Sequence, residues 1–293
     1  MNELKIIGLG EIVWDRFRDY ERLGGAPLNF AYFASQLGAE AYVISAVGKD
    51  EAGERTLAVI GEMGVRPDGI QTNEYMTGIV DALPVAGTDD IEYVIHENAA
   101  WDHIRYPEQA AELLKDVDVL CWGTLAQREE ESAQSIGRIL SVVPESCLKV
   151  YDINIRQDYY SREIIEESLK HADILKLNEN ELPLVRELLQ IDGKEPLKEL
   201  MERYGLQYVV HTQGSAKSEI YGREGLLSSV PTKKVELKDA VGAGDSFTAV
   251  FVTSLLQGKG VRRSHELAVE VAAYVCTQEG AINPLPSHIL ELL

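Results

Sequence analysis

Asp239–Ala240–Val241–Gly242–Ala243–Gly244–Asp245 runs directly into the apolar stretch Phe247 to Leu256. Gly242, Ala243 and Gly244 are small enough for the backbone to turn sharply with its N–H groups facing outward. A helix starting here adds its positive N-terminal end, and the combination is an anion hole. An acid at Asp245, inside the first turn, would repel a bound phosphate. It makes sense there if its task is to take a proton from a hydroxyl that attacks that phosphate. For an isolated Gly-x-Gly-Asp the default is plainer, a tight turn with a carboxylate complementing the helix dipole. What stands elsewhere in the chain displaces that default.

Outward from this element, short β-rich apolar runs alternate with helical patterns, which predicts βαβ units and a largely parallel sheet covered on both faces. Strands are read at Leu4–Leu9, Ala41–Val47, Val117–Gly123, Leu148–Ile153, Asp173–Leu177 and Tyr208–Thr212, each followed by a helical pattern. The first helix starts near Pro27 and closes at Gly38; another spans Glu51 to Met63 with Gly64 as its stop. Ile12–Leu23 and Gly78–His96 break the alternation as extended segments, the second with a turn around Ala86–Asp90. They predict a small antiparallel sheet beside the main one, serving as a lid or an oligomer contact. With no internal repeat and no Pro- or Ser-rich linker, one α/β domain over 1–293 is expected, its lid strands contributed by about 11–23 and 76–100.

The chain's 293 residues allow a sizeable core, and 45 % hydrophobic with 26 % charged residues excludes disordered and fibrous classes. Lys and Arg number 28 against 48 Asp and Glu, a formal charge of −20. That balance argues against partners such as nucleic acid or an anionic membrane, and it requires any anion pocket to be built locally. Cys121, Cys147 and Cys276 are dispersed and odd in number, so reduced thiols and a cytoplasmic location are expected. No apolar run approaches the roughly 18 residues that span a bilayer. Met1 to Gly10 reads as a first strand, with no cleavage site of a signal peptide.

No Gly-x-x-x-x-Gly-Lys-Ser/Thr, His-Glu-x-x-His, paired Cys or Gly-x-Ser-x-Gly occurs. Gly8–Leu9–Gly10 and Gly242–Ala243–Gly244 half-match a dinucleotide fingerprint, but Val13 and Phe247 stand where the third glycine belongs. A nucleotide-cofactor oxidoreductase is therefore a weaker reading. Leu23–Gly24–Gly25–Ala26–Pro27–Leu28–Asn29 precedes the first helix; its glycines permit close approach to a ligand, and Asn29 offers a donor and an acceptor for a sugar hydroxyl. Asp15, Asp152–Ile153–Asn154–Ile155–Arg156, Asn178–Glu179–Asn180–Glu181 and Thr212–Gln213–Gly214 also follow strands. Each alone is a turn or a cap. Together with the glycine pair they put five polar strand ends on the edge where open α/β sheets bind ligands.

The elements Gly24–Gly25–x–x–x–Asn29 and Asp239 to Asp245, in that order and about 210 residues apart, resemble the two signatures of the ribokinase, or PfkB-type, carbohydrate kinase family. The resemblance covers nearly the whole chain. It is nearest the fructokinase-like branch through Asp152-x-Asn154-x-Arg156, Gly123–Thr124–Leu125–Ala126, and Tyr93 to Asp102 with its Ala-Ala-x-Asp ending. It implies a ribokinase-like three-layer αβα fold with a mostly parallel central sheet and a small β-sheet lid. Position by position, it implies that Asp245 is the catalytic base and that the Gly242, Ala243, Gly244 and Asp245 amides hold the transferring phosphoryl group. Asp15, Gly25, Asn29, Tyr93 and Arg156 would bind the sugar, Arg156 alternatively the phosphate. Asn178, Thr212 and Gly214 would bind ATP, Glu181 would serve Mg2+, and Asp239 with the Gln278–Gly280 loop would match a monovalent-cation site taking K+. Ala240, Ile153 and Lys217 depart from the pattern, where Thr, Pro and a second Gly are common.

The expected chemistry is in-line transfer of the γ-phosphoryl group of Mg-ATP to a hydroxyl of a small sugar, fructose leading, with lids that exclude water. Ribose, 2-keto-3-deoxygluconate and nucleosides are alternatives on the same fold, and a non-catalytic sugar-binding protein is another. A homodimer through the lid is expected, with Ile12, Trp14, Phe17, Tyr93 and Val94 as contacts.

Overall fold

The computed structural model describes residues 3–84 and 91–293. In chain order its elements begin β1 (Lys5–Leu9), β2 (Val13–Arg16), β3 (Glu21–Gly24), α1 (Ala26–Gln36), β4 (Glu40–Gly48), α2 (Glu51–Glu62), β5 (Val65–Arg66), β6 (Ile70–Asn73), β7 (Gly78–Pro84) and β8 (Ile91–Ile95). There follow β9 (Val119–Trp122), α3 (Glu130–Val142), β10 (Leu148–Asp152), α4 (Arg162–His171), β11 (Ile174–Asn178), α5 (Glu181–Leu189) and α6 (Pro196–Tyr204). Last come β12 (Tyr208–Gln213), β13 (Lys217–Gly222), β14 (Gly225–Pro231), α7 (Ala243–Leu256), α8 (Val261–Cys276) and α9 (Ser287–Leu290).

The large sheet runs β14-β13-β12-β11-β10-β9-β1-β4-β5, with β6 also on β4. Every pairing from β12 to β5 is parallel. Its strands read as continuous apolar runs because helices cover both faces: all but the first residue of β1 and β4 is buried. Helices α1, α2, α7 and α8 share one core with one face of the sheet, and α3, α4, α5 and α6 share a second core with the other, which makes three layers. The order reverses at β1, flanked by β4 and β9, so the carboxyl ends of β1 and β9 bound a switch-point crevice. The half fingerprint at Gly8 is explained by packing: a Cβ there would lie 2.1 Å from the Pro27 carbonyl oxygen of α1.

A four-stranded sheet, β3-β2-β7-β8, stands apart from this one. The expectation of a purely antiparallel lid is corrected, since β2 and β7 pair in parallel. Both strands leave the same carboxyl edge of the large sheet, β2 after β1 and β7 after β6, so they run side by side in one direction. The expected turn at 86–90 lies outside the described residues. Trp14 ties the small sheet to α2, its indole N–H donating to Thr56 Oγ1 at 2.8 Å under the Arg55 guanidinium. Ile12 and Trp14 are thus buried in their own chain and unavailable as dimer contacts, whereas Tyr93 and Val94 are exposed. A second correction falls after Tyr208–Thr212, where a hairpin of β13 and β14 replaces the expected helix. Gly214, at φ 48°, lies in the turn from β12 into β13, and Gly225, at φ 112°, opens β14 after the hairpin turn.

Candidate active site

Gly242 precedes helix α7 as its N-cap, and its φ of 80° places it in the left-handed region. A Cβ there would lie 2.5 Å from that of Ala281, so only glycine lets the 278–281 loop close on the turn. The first bond of the helix ladder runs from Ser246 N–H to the Gly242 carbonyl, 2.8 Å, leaving the Gly244 and Asp245 amides ahead of that ladder. The Asp245 carboxyl does not turn into the core. It accepts from Asn29 Nδ2 of α1 at 2.8 Å and lines a narrow cavity with Pro27, Cys121, Asp152, Asn154 and Thr248. Burial, and then the neighbouring Asp152 carboxylate, push it up to about 6, against the Asn29 hydrogen bond and the Lys176 and Arg156 charges. That value suits a group that must be ionised near neutrality yet hold a proton transiently.

Of the residues expected to bind the sugar, Asn29 and Arg156 lie near this acid, and Asp15 and Tyr93 lie near Arg156. Asp15 sits on β2, its neighbours Arg22, Arg156 and Asp239, and burial raises it to about 6. Gly25 has φ 111° and would drive a Cβ to 2.4 Å from the Glu11 carbonyl oxygen, which fixes where α1 starts. Asn29 is buried, and its Oδ1 has no partner. Tyr93 lies on β8, with Asp15, Asp239 and Arg156 near its ring hydroxyl, and its backbone carbonyl accepts from Gln157 Nε2 at 2.6 Å. Arg156 is exposed and within electrostatic reach of Glu11, Asp15 and Asp245. The backbone that aims this segment is unusual, with Asn154 at φ 42° and Gln157 at 48°. Ile153, one of the departures, uses its N–H to bond the Lys176 carbonyl at 3.0 Å, which proline could not do.

On the opposite side Asn178 and Thr212 are register partners at the ends of β11 and β12. Asn178 Oδ1 accepts the Asn180 and Glu181 amides, and buried Glu181 accepts from Ile155 N at 3.0 Å and Asn178 N at 2.7 Å. The capping alternative for this tetrapeptide is therefore realised. Gly214 faces Glu179, whose Oε1 a Cβ would approach to 2.7 Å. Lys217 is drawn along the sheet to Glu219, 2.6 Å, so its ammonium is paired there. Asp239 accepts from Val241 N and Gly280 N at 3.0 Å each, and Arg22 Nη1 lies 3.5 Å away. The wider cavity, about 230 Å³ between 74–79 and 96–99, contains none of the candidate residues. Among the described residues no cluster of three or more His, Cys, Asp or Glu forms a metal cage.

The model of pfkB family carbohydrate kinases matches residues 7–288. The chain belongs to this family. It is 25 % identical over 280 residues to fructokinase-1 of Oryza sativa subsp. japonica, covering 91 % of this chain and 86 % of that one. The fructokinase of Xylella fastidiosa with bound ATP superposes with a TM-score of 0.89 at 20 % identity, covering 99 % and 98 % of the two chains. A putative ribokinase II of E. coli in complex with ATP and Mg2+ gives 0.87 at 20 % identity, with the same coverage. The three-layer fold with its separate small sheet is thus ribokinase-like. This pfkB kinase is a phosphotransferase with an alcohol acceptor, and the oxidoreductase reading falls away.

Three charged residues of the kinase escaped sequence reasoning. Lys176 is buried on β11, its Nζ 2.9 and 2.8 Å from the two Asp152 oxygens, and a Cβ on Gly244 would be 3.3 Å from it. Thr248 Oγ1 gives Asp152 a further bond at 3.2 Å. The signal was a lone charge within the apolar run Ile174–Leu177. Glu11 is buried at the end of β1 with Oε2 unpartnered, and burial pushes it up to about 7. An acid directly after Gly8–Leu9–Gly10 was its signal. Arg22 left none, because its partners are more than 200 residues away.

Proposed function

We propose that this kinase transfers the γ-phosphoryl group of Mg-ATP to a hydroxyl of fructose, with Asp245 as general base. The observation that carries the reading is a carboxyl beside the free amides of Gly244 and Asp245, held by Asn29 and raised to about 6. Fructose rather than another sugar is supported by the fructokinase names among the relatives. A small polyol fits the sugar side, where Asn29 Oδ1 and Glu11 Oε2 are buried acceptors without partners that sugar hydroxyls would satisfy.

In this mechanism Asp15 and Asn29 orient the sugar, with Gly25 keeping the backbone close and Tyr93 and Arg156 covering it. Asp245 takes the proton of the attacking hydroxyl as the free amides of Gly244 and Asp245 meet the charge that develops on the phosphoryl oxygens, the Ala243 amide being bonded to the Ala240 carbonyl at 3.3 Å. The Lys176 charge beneath Gly244 adds to that field. Asn178, Thr212 and Gly214 would hold the nucleotide. Glu181, fixed by two backbone N–H groups, keeps lone pairs that fit a magnesium-bound water. When bound, Mg-ATP supplies the activated phosphoryl group and the metal that neutralises its charge. K+ at Asp239 is less well supported, since that carboxylate already accepts two amides and faces Arg22, and no step depends on it.

We further infer that the chain works as one α/β unit over 1–293 whose lid, from about 11–23 and 76–100, excludes water during transfer. Two copies pair through the exposed lid residues Tyr93 and Val94 in a cytoplasmic homodimer; no described helix is long and apolar enough to cross a membrane. ADP release measured over a panel of sugars tests the substrate. Fructose should give the highest kcat/KM, and a higher value for another sugar would replace it. Sedimentation of the purified protein reads the dimer, and a monomer at micromolar concentration would remove it.

A further inference from the structure

The β2–β3 register sets Arg22 directly opposite Asp15, so both side chains leave one face of the lid. From there Arg22 reaches the turn before α7 and the loop after α8, its Nη1 3.5 Å from Asp239 Oδ2 and its Nη2 3.1 Å from Glu279 Oε2. A Cβ on Gly280 would lie 2.9 Å from Arg22 Cδ, and the next residue, Ala281, is the one that packs against Gly242. The guanidinium therefore stands at the rim of the amide hole. Tyr20 and Phe17 stack on each other, and the guanidinium carbon lies 4.6 and 5.6 Å from their ring centres. Stacking fixes the plane of the guanidinium and leaves its N–H edges free to bond an anion.

We propose that Arg22 is the lid-borne arginine that contacts the transferring phosphoryl group, and that Asp239 and Glu279 hold it at the rim until that group arrives. The inference rests on the kinase mechanism proposed above. A hydroxyl positioned between Asp15 and Asp245 draws the phosphoryl along a path with amides on one side and the lid face on the other. Arg22 supplies charge on the lid side, where the amides cannot reach. Its present partners hold it lightly: 3.5 Å is the limit of a hydrogen bond, and Glu279 is 75 % exposed. Three equatorial phosphoryl oxygens offer the fork a stronger, two-pronged partner. Lys176 cannot take this part, being buried behind Gly244 and bound to both Asp152 oxygens. Arg22 makes no covalent bond; the proton goes to Asp245 and ADP leaves.

The test titrates wild type, Arg22→Gln and Arg22→Lys with ADP, and with ADP plus aluminium fluoride and fructose, the fluoride mimicking the phosphoryl in transit. ADP alone should bind all three equally, which also reports folding. The additional affinity contributed by aluminium fluoride should fall about 10²-fold or more in Arg22→Gln and partly return in Arg22→Lys. In turnover, kcat of Arg22→Gln should drop about 10³-fold without faster ATP hydrolysis in the absence of sugar. Equal binding of the mimic by wild type and Arg22→Gln would overturn the proposal. So would a loss of kcat accompanied by faster sugar-free hydrolysis, which marks a lid latch. If wild type phosphorylates no sugar, the underlying mechanism fails; if it does and Arg22→Gln matches it, this inference alone fails.

Discussion

Burial holds Glu11 up to about 7 and Asp15 and Asp245 up to about 6, each above an ordinary carboxylate. In the interval between the unfolded and folded values the folded chain binds more protons than the unfolded one, so these groups cost stability as pH rises from about 4 to 7. Glu11→Gln keeps the neutral shape and removes that cost. Thermal melts should show it more stable than wild type at pH 8, by about 1–3 kcal/mol, with the gap closing near pH 4. An equal gap at both pH values would contradict the burial argument. Asp245 is faced by Asn29, Asp152, Lys176, Arg156 and Glu11. Lys176→Met removes a charge that favours its ionised form, so the acid limb of the kcat profile should move to higher pH, and adding Asp152→Asn should bring it back. An unmoved limb would leave Lys176 a purely structural residue. The place of Asp245 in the first turn of a helix was legible in the sequence, because the small residues that open that helix stand next to it. Arg22 was not, because nothing near it in sequence announces Asp239 or Glu279 as partners.

Among the elements, the turn into α7 has the least freedom. Gly242→Ala combines a positive φ with a Cβ 2.5 Å from that of Ala281. It should cost about 1–3 kcal/mol in denaturant unfolding and lower kcat as well, because the amides shift with the turn. Ala281→Gly in the same chain should relieve the crowding and recover part of the stability, whereas no loss in Gly242→Ala would show the turn to be slack. The lid makes the second case. Trp14→Ala removes its tie to Thr56 and Arg55, and sugar-independent ATP hydrolysis should rise as water gains entry. Unchanged hydrolysis would detach the lid from water exclusion. Parallel strands were readable as apolar runs, and the lid as two extended interruptions. The parallel pairing of β2 with β7 and the β13–β14 hairpin were hidden, the first being set by where the chain leaves the large sheet. In the hairpin, Lys217 and Glu219 interrupt the apolar pattern that marks the neighbouring strands.

At the scale of the whole molecule, a charge of −20 repels a polyanionic nucleotide, which in the mechanism proposed above the amides and Lys176 attract at short range. Salt screens the long-range part first, since the Debye length falls to about 8 Å at 0.15 M. The on-rate for ATP should therefore rise between low and physiological ionic strength, and a steep fall would mean that a cationic surface steers the nucleotide. The measurement that bears most directly on the account is Asp245→Asn, followed by ADP release with fructose and by calorimetry with fructose and an ATP analogue. The substitution keeps the shape of the side chain and removes the proton acceptor. The account predicts kcat lower by about 10²- to 10⁴-fold with both ligands still bound at near wild-type affinity. Undiminished kcat would contradict it.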